Sequence, residues 1–144
     1  MGGTFDHLHE GHKFLIKTGL NFSKQLVIGI ASDEMLKNKE YSSELEPYHV
    51  RKENVINFIE AESKLEKVEI IELNDRFGPP IHESEYDGII VSQETYKTAL
   101  EINDMRTKKG FKPLLIIIIP IIKDKNNLKI SSTSIRKNLS NKIF

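Results

Sequence analysis

The chain has 144 residues, with 21 Lys+Arg against 21 Asp+Glu, five histidines and no cysteine. That length suits one domain, 1–144, able to bury about 68–70% of its unfolded surface without a disulfide or metal staple. Lack of cysteine excludes a thiolate zinc site or a thiol nucleophile. Zero formal charge argues against the basic footprint of a nucleic-acid binder. The longest apolar stretch, Leu114 to Ile122, is far short of the roughly 18 residues a bilayer span needs. With no secretory pattern at its start, the expectation is a cytoplasmic protein away from membranes and nucleic acid.

In chain order, Gly2-Gly3-Thr4-Phe5-Asp6 reads as a loop, and His12 to Leu20 as a short amphipathic helix carrying Phe14, Leu15 and Ile16. Gln25 to Ala31 is a buried strand. Pro47 opens a helix through about Ser63, with Val55, Ile56, Phe58 and Ile59 inward. Val68 to Leu73 and Gly88 to Ser92 are further strands. Gln93 to Lys109 is the clearest helix, with Tyr96, Ala99, Leu100 and Asn103 on one stripe and Gly110 as its stop. Leu114 to Ile119 forms an almost uninterrupted apolar strand, with Pro120 at its end. A last helix starts after Ser131-Ser132 and ends near Asn141. Alternating strands and helices predict an α/β fold, mostly parallel, with helices covering both faces and the ligand site beyond the carboxyl ends of the strands. The same alternation predicts a strand before Gly2, where only Met1 stands.

Two constellations carry chemistry. In Gly2-Gly3-Thr4-Phe5-Asp6-His7-Leu8-His9-Glu10-Gly11-His12 the glycines permit a tight turn, and His9 and His12 flank a helix N-terminus that favours anions. A turn with solvated histidines would read the same way. In Ile130-Ser131-Ser132-Thr133-Ser134-Ile135-Arg136 the hydroxyls either cap a helix or hold a polyphosphate.

Taken together, Gly-Thr-Phe-Asp-x-x-His-x-Gly-His and Ile-Ser-Ser-Thr-x-Ile-Arg resemble the nucleotidyltransferase superfamily of adenylyl- and cytidylyltransferases. Within it, Ala31-Ser32-Asp33-Glu34-Met35, Pro47-Tyr48-His49-Val50-Arg51, Val91-Ser92-Gln93-Glu94-Thr95-Tyr96 and Ile102-Asn103-Asp104-Met105-Arg106 are similar to the archaeal-type phosphopantetheine adenylyltransferases. They also resemble the adenylyltransferase domain of eukaryotic coenzyme A synthase. The resemblance runs from Gly2 to about Leu139 and implies a Rossmann-like nucleotidyltransferase fold. It implies an enzyme of coenzyme A biosynthesis that moves AMP from ATP to 4′-phosphopantetheine, releasing pyrophosphate.

The same resemblance assigns roles. His12, His9 and Lys39 would be catalytic, with Lys37 the alternative lysine. Gly3, Thr4, Phe5, His9, Gly11, His12, Asn103, Arg106, Ser131, Ser132 and Thr133 would bind ATP. Thr4, Lys39 and Arg51 would bind phosphopantetheine. Mg²⁺ would arrive with ATP and bind through substrate; Asp6 and Asp33 are equally turn formers, and no protein metal ligand is assigned. His49 and His82 receive no role. A FAD synthetase or glycerol-phosphate cytidylyltransferase would share both signatures, and a non-catalytic nucleotide-binding module would keep the fold.

Overall fold

A computed structural model describes residues 1–38 and 42–120 of the chain. Lys39, Ser131, Ser132, Thr133 and the expected last helix lie outside these described residues. The strands are β1 (Gly2–Gly3), β2 (Leu26–Ala31), β3 (Val68–Leu73), β4 (Gly88–Ser92) and β5 (Leu115–Ile119). The helices are α1 (Glu10–Phe22), α2 (Tyr48–Ala61) and α3 (Tyr96–Lys108). Among the described residues every strand pairing is parallel, as expected of strands joined by helical crossovers. Gly2 faces Gly29, Leu26 through Ala31 face Val68 through Leu73, and Gly88 through Ser92 face Leu115 through Ile119. The α/β expectation therefore holds.

The start of the chain differs from its sequence reading. Gly2-Gly3 is itself the strand, prolonged by Met1, whose amino group donates to the Val27 carbonyl at 3.0 Å and whose carbonyl accepts from Gly29 N–H at 2.8 Å. Burial lowers the pKa of that amino group to about 6. The sharp turning falls instead on Phe5 (φ 53°) and His7 (φ 45°), residues for which a left-handed backbone is costly. So short a β1 pairs with β2 only: among the described residues the sheet consists of β1-β2-β3 and a separate β4-β5 pair.

Packing explains the rest. β2 is the most deeply buried strand, and its Leu26, Ile28 and Ile30 join Phe5, Ile16, Leu20, Val55 and Ile59 in the core. Gly29 permits a close approach: a Cβ there would stand 2.6 Å from the Leu73 side chain, which lies across β2. β3 and β5 are less enclosed than continuous apolar runs suggest, since Glu69 and Glu72 face solvent, as do Leu115 and Ile118. In α2 the inward stripe is Arg51, Val55 and Ile59, spaced by four. The expected α3 stripe is displaced: Tyr96 and Leu100 are exposed, while Ala99, Ile102 and Arg106 point inward. Gly110 (φ 78°) does end α3, with Phe111 N–H on the Arg106 carbonyl and Gly110 N–H on that of Thr107, a Schellman cap.

Candidate active site

The loop from β1 to α1 delivers two histidines to the helix N-terminus. His9 is the N-cap, in extended conformation, and its Nδ1 accepts from Gly11 N–H at 3.1 Å. His12, one turn in, returns the contact: its Nδ1 accepts from His9 N–H at 3.2 Å. This is a capping box in which imidazoles replace the usual hydroxyl and carboxylate. The rings stack 3.7 Å apart at 21°, and the buried Phe5 ring lies 5.4 Å from that of His12.

The hydrogen bonds dictate the protonation state. A ring nitrogen that accepts from a backbone N–H carries no proton, so each neutral imidazole carries its proton on Nε2. Burial, with His9 alongside, lowers the His12 pKa to about 3. Burial also lowers that of His9, against the opposing pull of Glu10, Glu94 and Asp6. Both rings are therefore held neutral and in one tautomer, beside amides and a dipole that favour anions.

Burying a neutral histidine makes stability depend on pH. Below pH 6.5 an unfolded His12 takes up a proton that the folded ring refuses until about pH 3. The unfolded state binds more protons in that window, so stability falls as pH falls. Between pH 7 and pH 5 the loss from this ring is about 2 kcal/mol. Urea unfolding at both pH values should show His12→Gln losing less stability than the wild type; equal losses would refute the assignment.

Three residues expected at the substrates are occupied elsewhere. Arg106 is fully buried, and its five N–H groups donate to the carbonyls of Lys112, Pro80, Glu83, Ser84 and Tyr86 at 2.6–3.3 Å. No donor remains for a nucleotide. Asn103 makes a two-way amide contact with the backbone of Leu114, at 2.7 and 3.0 Å. Arg51 is also fully buried, donating to the carbonyls of Glu46, Thr4 and Ala31 and to Asp33 Oδ1 at 2.8–2.9 Å. These placements share one cause: backbone carbonyls are strong acceptors with no sequence signature. Lys37 pairs with Glu34 at 2.9 Å on the surface, an interaction worth little. His49 and His82 are exposed.

Among the described residues, Asp6, His7 and Glu46 bring donor atoms within 4.8 Å of one another, as a metal site would. Their hydrogen bonds argue otherwise. His7 Nε2 lies 2.8 Å from the Glu44 carbonyl and must be its donor, while Glu46 Oε1 accepts from His7 N–H at 2.7 Å. The group fastens a loop. The sequence reading missed it, although Glu46 just before the helix-opening Pro47 was a visible capping-like signal. Glu94, which acts on His9 from the loop after β4, was missed too.

A helix N-terminus with paired imidazoles thus stands beyond the carboxyl end of the parallel strand β1, the place where open α/β sheets bind their ligands. The chain belongs to the cytidylyltransferase-like family, whose model matches residues 1–138. More narrowly, it is 41% identical over 136 residues to the phosphopantetheine adenylyltransferase of Methanopyrus kandleri, covering 94% of this chain and 86% of that protein. With the phosphopantetheine adenylyltransferase of Pyrococcus horikoshii it shares 44% identity over 139 residues, 96% of this chain and 87% of the relative. A crystal structure of a protein of unknown function from Archaeoglobus fulgidus superposes with a TM-score of 0.73 at 31% identity, over 83% of this chain and 95% of that one. No helix among the described residues is long and apolar enough to cross a membrane.

Proposed function

We propose that this chain transfers AMP from ATP to 4′-phosphopantetheine, giving dephospho-coenzyme A and pyrophosphate. The observation that carries the reading is the double-histidine capping box, set in a chain so close to named phosphopantetheine adenylyltransferases. A phosphate oxygen of phosphopantetheine attacks the α-phosphorus of ATP, and the bond from that phosphorus to the bridging oxygen of pyrophosphate breaks. The acceptor is already a nucleophile, so neither a protein nucleophile nor a covalent intermediate is needed. Catalysis consists of alignment and of donors placed where charge develops.

His12 Nε2–H and His9 Nε2–H donate to the ATP phosphates as negative charge shifts toward the leaving pyrophosphate. Neutral rings suit this task, because they hold the anion without giving up a proton to it. Gly3, Thr4, Phe5 and Gly11 shape the wall on which the nucleotide lies, and Thr4 also orients the attacking phosphate. Lys39 and Ser131, Ser132 and Thr133 complete the phosphate site in this reading. A nucleotide-borne Mg²⁺ would neutralise phosphate charge, and the carboxylates acting on His9, Glu94 and Glu10, are hard oxygen donors suited to it or to its waters. Because ATP and phosphopantetheine are intracellular metabolites, the reaction belongs in the cytoplasm.

The test offers ATP with phosphopantetheine, FMN or glycerol phosphate and measures pyrophosphate release. Release is expected with phosphopantetheine. Release with FMN or glycerol phosphate alone would overturn the acceptor assignment. ATP binding without turnover on any acceptor would make the chain a nucleotide-binding module.

A further inference from the structure

The histidine pair is only as well placed as the loop beneath it, and that loop is strained. Phe5 and His7 both adopt left-handed backbone conformations that are unfavourable for residues with a side chain. Between them Asp6 is fully buried. Strain of this kind persists only where surrounding contacts enforce it, and several of these come from Glu44 and Glu46, just before α2, and from Arg51 within it. Glu46 Oε1 accepts from His7 N–H at 2.7 Å, and Glu46 N–H donates to Asp6 Oδ1 at 2.9 Å. The Glu44 carbonyl accepts from His7 Nε2 at 2.8 Å. Arg51 Nη1 fixes the preceding Thr4 carbonyl at 2.9 Å, while its Nε holds the Glu46 carbonyl.

We propose that Glu46 is a positioning residue for adenylyl transfer, acting through the strained Phe5–His7 turn on His12. The route is short. Glu46 grips the two residues that follow Phe5, this turn sets Phe5 against the His12 ring, and His12 stacks on His9. Without the Glu46 carboxylate, His7 N–H loses its acceptor and the turn can relax toward ordinary backbone angles. Phe5 then withdraws from His12, and the imidazole loses the wall that fixes its plane.

This proposal rests on the adenylyltransferase reading, and its test separates the two. Turnover, ATP affinity and the ¹⁵N shifts of the histidine rings are compared for wild type, Glu46→Ala, Glu46→Asp and Glu46→Gln. Glutamine keeps an oxygen acceptor at the same reach and should retain most of the activity. Alanine removes the acceptor, and aspartate falls one methylene short. Both should lower kcat by about 100-fold, the usual scale of a 1 Å misplacement, with little change in ATP affinity. In both, the His12 Nδ1 signal should lose the single-tautomer position of the wild type.

A folded alanine variant with wild-type kcat and wild-type His12 shifts would overturn the proposal. If alanine fails to fold, the aspartate variant decides on the same two readouts. Equal losses in the glutamine and alanine variants would also overturn it, since they would place the effect in the charge. An inactive wild type would overturn the adenylyltransferase reading, while the ring shifts would still report whether Glu46 sets His12.

Discussion

Replacing His12 by alanine lowers kcat for pyrophosphate release by about 100- to 1,000-fold, the range found when one preorganised donor to a developing charge is removed. The same change also removes the cap bond from His9 N–H to Nδ1, worth about 1 kcal/mol, together with the ring packing against His9 and Phe5. Those effects can be separated by measuring the melting temperature and the ATP dissociation constant alongside kcat. His12→Asn refines the result: its amide can restore the cap but presents its donor closer to the backbone, so stability recovers more than turnover. If His12→Ala keeps more than a third of wild-type kcat, the imidazole is a cap only and the phosphate contact must lie elsewhere.

The second large effect concerns Arg106 and is one of stability. Arg106→Met keeps the length of the side chain but strands the carbonyls of Lys112, Pro80, Glu83, Ser84 and Tyr86. Removing one side of a buried, hydrogen-bonded charge costs about 3–5 kcal/mol, and in a domain of this size that lowers Tm by roughly 10 °C or more. The folded fraction should keep its KM for ATP. Urea unfolding and ATP titration of the same preparation therefore distinguish the two roles: unchanged stability with a raised KM would return Arg106 to the nucleotide.

How much of this was legible in the sequence depended on what kind of partner each residue takes. Apolar periodicity located β2, β3, β4 and β5 almost to the residue, because burial of Ile28, Ile30 and Ile119 is a direct consequence of side-chain chemistry. The Pro47 start and Gly110 stop were legible because each imposes a backbone geometry. The histidine pair was legible as a motif, but not its mechanism. That His9 and His12 cap one another through Nδ1 needs a helix beginning at Glu10, two residues earlier than the apolar pattern indicates.

The contacts that were not legible share a common source. An arginine bound to side-chain carboxylates leaves a trace in sequence, whereas Arg51 and Arg106 are held chiefly by backbone carbonyls, which every residue has. The same blindness hid the Glu46 grip on His7 N–H. It also explains the misplaced turn at the start. Two glycines suggested the bend, yet Gly2 and Gly3 pair in the sheet, and tertiary contacts force the left-handed conformation on Phe5 and His7. Local preference lost to long-range hydrogen bonds there, as it does where function requires a fixed geometry.

Transfer occurs by attack of the phosphopantetheine phosphate on the α-phosphorus, with the neutral histidines holding the phosphates of ATP. Phosphopantetheine carrying ¹⁸O in its phosphate, with both products and the protein weighed by mass spectrometry after one turnover, distinguishes this attack from one at another phosphorus. The expected products are dephospho-coenzyme A with the label in its pyrophosphate linkage and a released pyrophosphate free of ¹⁸O. Label in the released pyrophosphate, or an adenylylated protein in place of dephospho-coenzyme A, would contradict it.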